Sequence, residues 1–279
     1  MSIVDVRMEG DGVAVVAVNN PPVNTIDAKV RAGLFDALGR LAGARAVLLV
    51  CEGGTFFSGA DIGEFSGPPK EEEYRRLFNA IEALPVPVVA AMHGTVMGGG
   101  VEIALACHYR IAAAGTRFAM PEVTLGITHG IGAMAVPYRR WPHAAATFNA
   151  MLRTAERLKA ARAHELGVVD ALADDYPQLI QRAVDRAREL SGKVKPIGDA
   201  PVNVTIDPVE ARAASGQVLS RECIELMERS ILEAAAAASF AEALEVGYRS
   251  FGLSACLDSA REGITAFKEK RTPDFSKTK

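Results

Sequence analysis

Apolar positions fall into short runs separated by glycine- and proline-rich breaks, and the runs alternate between strand-like and helix-like spacing. Gly12–Val18 is β-branched and apolar and predicts a strand after the turn at Gly10-Asp11-Gly12. Asn19-Asn20-Pro21-Pro22-Val23-Asn24 breaks that run. Asp27 then reads as the N-cap of a helix through Leu41, with Val30, Leu34, Leu38 and Leu41 at helical spacing. Ala46–Cys51 is wholly apolar and predicts a strand covered on both faces. This β-α-β order argues for an α/β fold with helices packed on a sheet. Gly67-Pro68-Pro69 predicts a surface turn and Lys70-Glu71-Glu72-Glu73 a charged helix start. The helix itself is predicted over Tyr74–Leu84, with Leu77, Ile81 and Leu84 on one face.

The chain is organised around Pro85–Glu122. Val86–Met92 predicts a buried strand entered through two prolines, and Gly98-Gly99-Gly100 follows it. Val101–Cys107 then predicts a helix that is apolar except for Glu102. Glycines between a strand and a helix leave backbone N–H groups open to a ligand, because no Cβ blocks the approach. A carboxylate in the first turn of an apolar helix is costly to bury without a reason. A second acid, Glu122, lies in Ala119-Met120-Pro121-Glu122, ahead of the glycine-rich turn Leu125–Gly132. A mostly helical region begins near Ala144. Pro196–Pro208 reads as a linker or exposed loop, and Val209–Lys270 as helical again.

Composition narrows the function classes. Hydrophobic residues make up 49% of the 279 and charged residues 23%, as in soluble globular proteins. A formal net charge of −3 gives no electrostatic ground for a nucleic-acid or anionic-membrane partner. No basic segment followed by a long apolar one opens the chain, and no run reaches a membrane span, so a cytoplasmic protein is expected. Cys51, Cys107, Cys223 and Cys256 lack metal spacing and read as buried free thiols.

Nucleotide motifs fit poorly. Gly98–Ile103 lacks the third glycine of GxGxxG, Gly130–Ala135 meets only its relaxed form, and no GxxxxGK[ST] occurs. The histidines His93, His108, His129, His143 and His164 read as structural, with His129 the exception because it follows Glu122 in a glycine turn. Two glutamates in a partly apolar cleft can divide acid and base roles. Backbone donors from Gly98–Gly100 and from Gly59-Ala60-Asp61 can hold a carbonyl oxygen that turns negative, each worth roughly 3–4 kcal/mol. Two such donors and two acids suit proton movement beside a thioester carbonyl. Whether they meet in space is not decided by local pattern.

Five stretches together resemble the crotonase family of enoyl-CoA hydratases and isomerases. They are Asn19–Asn24, Thr55–Ile62, His93-Gly94 through Glu102, Ala119–Glu122 and Ala266-Phe267-Lys268-Glu269-Lys270-Arg271. The chain looks most like the hydratase/isomerase half of bifunctional fatty-acid oxidation enzymes, and the likeness is weakest across Val194–Ser215. The resemblance implies a spiral of ββα units over residues 1–195 and a helical C-terminal region over 196–279. It implies hydration of a trans-2-enoyl-CoA, with double-bond isomerisation or acyl-CoA binding without turnover as alternatives. By position it assigns the N–H groups of Ala60 and Gly99 to an oxyanion hole flanked by Gly98, Asp61 and Ile62. It assigns Glu102 and Glu122 to catalysis, and Phe267 and Lys270 to covering bound CoA. It further implies no cofactor beyond the CoA of the substrate, and a homotrimer or a dimer of trimers. Two departures stand out: Gly63 replaces a basic residue that often follows Ala-Asp-Ile, and the turn His129–Pro137 carries the bulkier Ile131 and Met134.

Overall fold

The computed structural model describes residues 2–66, 71–194 and 196–278. The chain divides into two units. One comprises the chain up to Asp61, Glu73–Phe118 and Leu158–Pro196; the other comprises Ile62–Glu72, Ala119–Arg157 and the chain from Ile197 onward.

In chain order, the first unit begins with β1 (Val4–Met8) and β2 (Val13–Val18), then α1 (Ala28–Gly39) and β3 (Ala46–Cys51). Asp27 caps α1 as predicted, its carboxylate accepting from Val30 N–H at 2.9 Å. The helix stops at Gly39, short of Leu41. Next come α2 (Glu71–Glu82), β4 (Val88–Met92), β5 (Thr95–Met97), α3 (Gly99–Ala106), β6 (Tyr109–Ala113) and β7 (Arg117–Ala119). The second unit contributes α4 (Val136–Arg140) and α5 (Ala145–Thr154). The chain then supplies β8 (Leu158–Lys159), α6 (Ala160–Glu165), β9 (Ala171–Ala173) and α7 (Tyr176–Glu189) to the first unit. It ends in the second with α8 (Arg221–Ala236), α9 (Phe240–Ala255) and α10 (Asp258–Lys268).

The main sheet has the order β1-β2-β3-β4-β6-β9, antiparallel at β1/β2 and parallel elsewhere. Its parallel strands are buried on both faces, which is why they read as unbroken apolar runs. One face presents Val13, Val15, Leu48, Val50, Val89 and Ala91 to Leu179, Ala183 and Ala187 of α7. A smaller sheet has the order β5-β7-β8.

Several expected boundaries move for identifiable reasons. The strand expected over Val86–Met92 starts at Val88, after Pro85 and Pro87, which have no N–H to donate. The helix expected from Val101 starts two residues earlier, because the Gly98 carbonyl already accepts from the N–H groups of Val101 and Glu102. Pro137, at the end of the turn singled out above, sits in the first turn of α4, where its missing N–H costs nothing. The turn expected at Gly67-Pro68-Pro69 and the helix start at Lys70 lie outside the described residues.

In the second unit the stretch after Ile197 forms no regular element before α8; this agrees with the loop expected over Pro196–Pro208, whereas the helical pattern expected from Val209 begins only at Arg221, yet the stretch is tied down. Val202 N–H donates to the Ala235 carbonyl at 2.8 Å, and Asp199 accepts from Phe240 N–H at 2.9 Å. Arg139 on α4 donates to the carbonyls of Gly198 and Ala200 and, around the C-terminus of α8, to those of Ala234 and Ala237. One guanidinium thereby serves orphan carbonyls that the helix end leaves without an internal donor.

Candidate active site

Within the first unit, two loops come together by backbone pairing. Phe56 N–H donates to the His93 carbonyl at 2.9 Å, and Met97 N–H donates to the Phe57 carbonyl at 3.1 Å. Thr55 adds a side-chain clasp: its hydroxyl donates to the Thr95 carbonyl and accepts from Thr95 N–H at 2.8 Å. Three glycines permit this closeness. A Cβ on Gly94 would lie 2.2 Å from the Gly54 carbonyl oxygen, one on Gly59 3.1 Å from the Met97 oxygen, and one on Gly100 2.3 Å from the Phe57 oxygen. Gly94 and Gly59 also have φ of 61° and 103°, which disfavours any side chain there.

The outcome is that Ala60 and Gly99 become neighbours. Ala60 N lies 3.7 Å from where a Cβ of Gly99 would sit. Gly99 opens α3, and the first N–H groups of a helix have no acceptor inside it. Gly98, with φ 51° and ψ −123°, caps this helix by offering its carbonyl to Val101 N–H and Glu102 N–H at 2.8 and 3.2 Å. Ala60 is held from the other side by a bridge to Ile26, whose N–H donates to the Gly59 carbonyl at 2.8 Å. Ile26 is itself anchored by Arg31 Nη1 and the Tyr74 hydroxyl, which donate to its carbonyl at 3.1 and 2.7 Å. Asn24, buried and at φ 52°, donates to the carbonyls of Glu52 and Thr55 at 2.8 Å each. Arg31, Asn24 and Thr55 were not singled out from the sequence as holding this loop. A buried arginine reads there as an ordinary exposed helix residue.

Glu102 lies on α3, all eight residues of which are buried, and is 3% exposed. The positive end of the helix dipole favours a carboxylate in this first turn. At the other end, Arg110 donates to the carbonyls of Ala104 and Cys107 at 3.2 and 2.6 Å and to that of Val168 at 2.8 Å. Burial draws the Arg110 guanidinium below its ordinary range, and Asp170, 3.9 Å away, opposes that. Asp61 closes the first unit's share of the predicted site.

Ile62, Glu122, Phe267 and Lys270 belong to the second unit. Glu122 begins a single 3-10 turn, Glu122–Leu125, closed by Gly126 at φ 70°. Helix α10 holds this turn closely. A Cβ on Gly263 would lie 2.1 Å from the Leu125 oxygen, and the Ser259 hydroxyl donates to the Gly126 carbonyl at 3.0 Å. Beyond it, Thr128 meets Ser250 and Ser254 in a buried hydroxyl cluster, with Thr128 N–H donating to Ser254 Oγ at 3.0 Å. His129 is fully buried, its Nδ1 lying 3.0 Å from Glu122 Oε2. Ile131 and Met134 are buried as well. Phe267, near the end of α10, is 53% exposed, and Lys270 just beyond it has φ 55°.

Three other histidines make local backbone contacts: His93 Nε2 with the Gly53 carbonyl, His108 Nδ1 with Val88 N–H, and His164 Nδ1 with the Val169 carbonyl. The thiols depart from expectation at one position. Cys51, Cys107 and Cys223 are buried, but Cys256 is exposed. Burial raises Cys51 well above the ordinary thiol range and pushes Cys223 up to about 12. A thiol-specific disulfide reagent is therefore expected to release one fast equivalent from native protein, abolished by Cys256→Ser. The remaining equivalents should appear only on denaturation, and fast release of two or more would contradict the burial.

Among the described residues, no group of three or more His, Cys, Asp or Glu is arranged to hold a metal ion, and no helix is long and apolar enough to cross a membrane. The sequence profile of the enoyl-CoA hydratase/isomerase family matches residues 8–200. A Bacillus subtilis (strain 168) protein named "Probable enoyl-CoA hydratase" is 31% identical over 275 residues, covering 94% of this chain and 95% of its own. The peroxisomal bifunctional enzyme of Danio rerio is 39% identical over 167 residues, which are 58% of this chain and 23% of that one. The crystal structure of an enoyl-CoA hydratase from Mycobacterium avium subsp. paratuberculosis K-10 superposes with a TM-score of 0.69 at 27% identity, covering 98% of both chains. The class defined by the parallel sheet, the paired loops and the buried glutamate is thus the crotonase fold. The chain belongs to the enoyl-CoA hydratase/isomerase family.

Proposed function

We propose that this chain is an enoyl-CoA hydratase that adds water reversibly across the double bond of a trans-2-enoyl-CoA in fatty-acid β-oxidation-type metabolism. One observation carries the reading: Ala60 and Gly99 are brought side by side in the unit that also buries Glu102 at the start of the Gly99 helix. The thioester oxygen accepts from the N–H groups of Ala60 and Gly99. As the water oxygen bonds to the β-carbon, the π electrons move onto the thioester oxygen, giving an enolate. Donors fixed in advance stabilise the new charge without reorganising. Glu102 and Glu122 are the acids that orient the water, take its proton and return one to the α-carbon. Gly98, Asp61 and Ile62 shape the surrounding loops, and Phe267 and Lys270 cover the CoA. The reaction uses no cofactor beyond the CoA of the substrate. A cytoplasmic homotrimer or pair of trimers completes the proposal.

The test is loss of enoyl absorbance on mixing the protein with crotonyl-CoA and longer homologues. Tight acyl-CoA binding by calorimetry without conversion across that panel would make it a binding protein instead. Isomerisation is the second reading, favoured by the bulk of buried Ile131 and Met134 in the turn after Glu122. Conversion of a 3-enoyl-CoA with no 3-hydroxy product would establish it.

Gly99→Ala separates the fold from the chemistry. Its Cβ would meet Ile26 Cδ1 at 3.6 Å and Ala60 N at 3.7 Å, ordinary contact distances, so the melting temperature should stay near wild type. The methyl group nevertheless intrudes on the surface where the thioester oxygen docks. Hydration kcat should fall by up to about 100-fold, somewhat less than for loss of a whole donor. An unchanged kcat would remove Gly99 from the oxyanion hole.

A further inference from the structure

We propose that His129 is a positioning residue for Glu122, holding one carboxylate oxygen so that the other faces the chemistry. The His129 ring makes two close contacts. Its Nε2 lies 3.1 Å from the Leu152 carbonyl oxygen, which can only accept, so Nε2 carries a hydrogen. Its Nδ1 lies 3.0 Å from Glu122 Oε2; both atoms are buried, and neither makes a well-aligned hydrogen bond to another group. A bare ring nitrogen and a bare carboxylate oxygen would repel at that distance. A small turn of the ring brings an Nδ1 hydrogen onto that oxygen, so the pair is poised to interact. The Glu122 side chain is 15% exposed, so one oxygen lies against the ring while the carboxylate keeps a path to solvent.

The ring has little freedom to turn away. Thr128, the preceding residue, is fixed by Ser250 and Ser254. Gly130, the following one, packs where a Cβ would lie 2.7 Å from the Phe251 ring. With Oε2 buried 3.0 Å from Nδ1 and the 3-10 turn clamped by α10, Oε1 is the oxygen left to meet water. Orientation of this kind is worth a large factor, since a displacement of about 1 Å at a reacting group costs on the order of 100-fold.

This inference rests on the reading that Glu122 takes part in hydration, and the two are separable. An asparagine amide overlays Nδ1 of the ring, whereas a glutamine amide overlays Nε2. His129→Asn keeps a donor for Glu122 and loses the link to Leu152; His129→Gln does the reverse. We expect His129→Asn to retain kcat within about threefold and His129→Gln to lose about 10- to 100-fold in kcat with KM little changed. A His129→Gln protein at the wild-type rate, or equal losses in both, would overturn the proposal. Glu122→Gln at the wild-type rate would instead sink the reading beneath it. A readout that needs no change at 129 is the long-range proton–nitrogen spectrum of histidine-labelled protein. Glu122→Gln should move the His129 ring signals and leave the other four histidines in place. Unmoved His129 signals would equally defeat the proposal.

Discussion

Glu102→Gln is expected to lower hydration kcat by about 10²–10⁴-fold while leaving the melting temperature unchanged or slightly raised. The two effects come from one cause. Glu102 is 3% exposed on a helix whose eight residues are all buried, so its carboxylate is held where solvation is poor. Glutamine has nearly the same shape, keeps a carbonyl acceptor and removes the ionisable group. Packing is therefore retained. What is lost is the capacity to take a proton from water and give one back. Steady-state hydration of crotonyl-CoA beside a thermal melt checks both halves. A folded variant with wild-type kcat would mean that Glu102 has no part in the chemistry.

Arg110→Met should produce the largest loss of stability, about 3–5 kcal/mol, because it removes one partner from a buried charged network. Methionine fills the volume and offers no donor. The carbonyls of Ala104, Cys107 and Val168 then lose their hydrogen bonds, and Asp170 loses the guanidinium beside it. Each carbonyl orphaned away from water costs about 1–3 kcal/mol, partly recovered by relaxation. Arg110→Lys should rescue little, since a single ammonium cannot reach three carbonyls in a fork. Denaturant unfolding followed by circular dichroism measures the loss. A midpoint close to wild type would show that these carbonyls find other donors. Activity should decline as well, because Ala104 and Cys107 are the C-terminal anchor of the helix that carries Glu102.

Much of the parallel sheet was legible in the chain. Ala46–Cys51 and Gly12–Val18 could be read as strands because both faces of a parallel sheet are covered and every residue must be apolar. Strands β5, β8 and β9 were not, since runs of two or three residues carry no period. Strand β1, at the edge of the sheet, alternates apolar and polar residues over only five positions and buries Val4 alone. The arginines were the least legible. Arg31, Arg110 and Arg139 look alike in sequence, yet each ends up bonded to groups from distant parts of the chain: Arg31 to the Glu73 and Tyr74 side chains, Arg110 and Arg139 to the Val168 and Gly198 carbonyls.

Sequence by itself determined the α/β class, the family, and the candidacy of Glu102, because a lone acid in an apolar helix and glycines before it are local features. Tertiary structure alone decided that Ala60 and Gly99 are neighbours. That adjacency depends on two backbone approaches too close for a Cβ, at Gly94 and Gly100, and a third tight one at Gly59, made between segments that no local pattern pairs. It also decided the role open to His129. Its place in a glycine turn after Glu122 was visible from the start, but only the folded turn sets Nδ1 against Oε2 and Nε2 against Leu152. The direction of a ring is fixed by what is packed around it, and that information lies in contacts rather than in spacing.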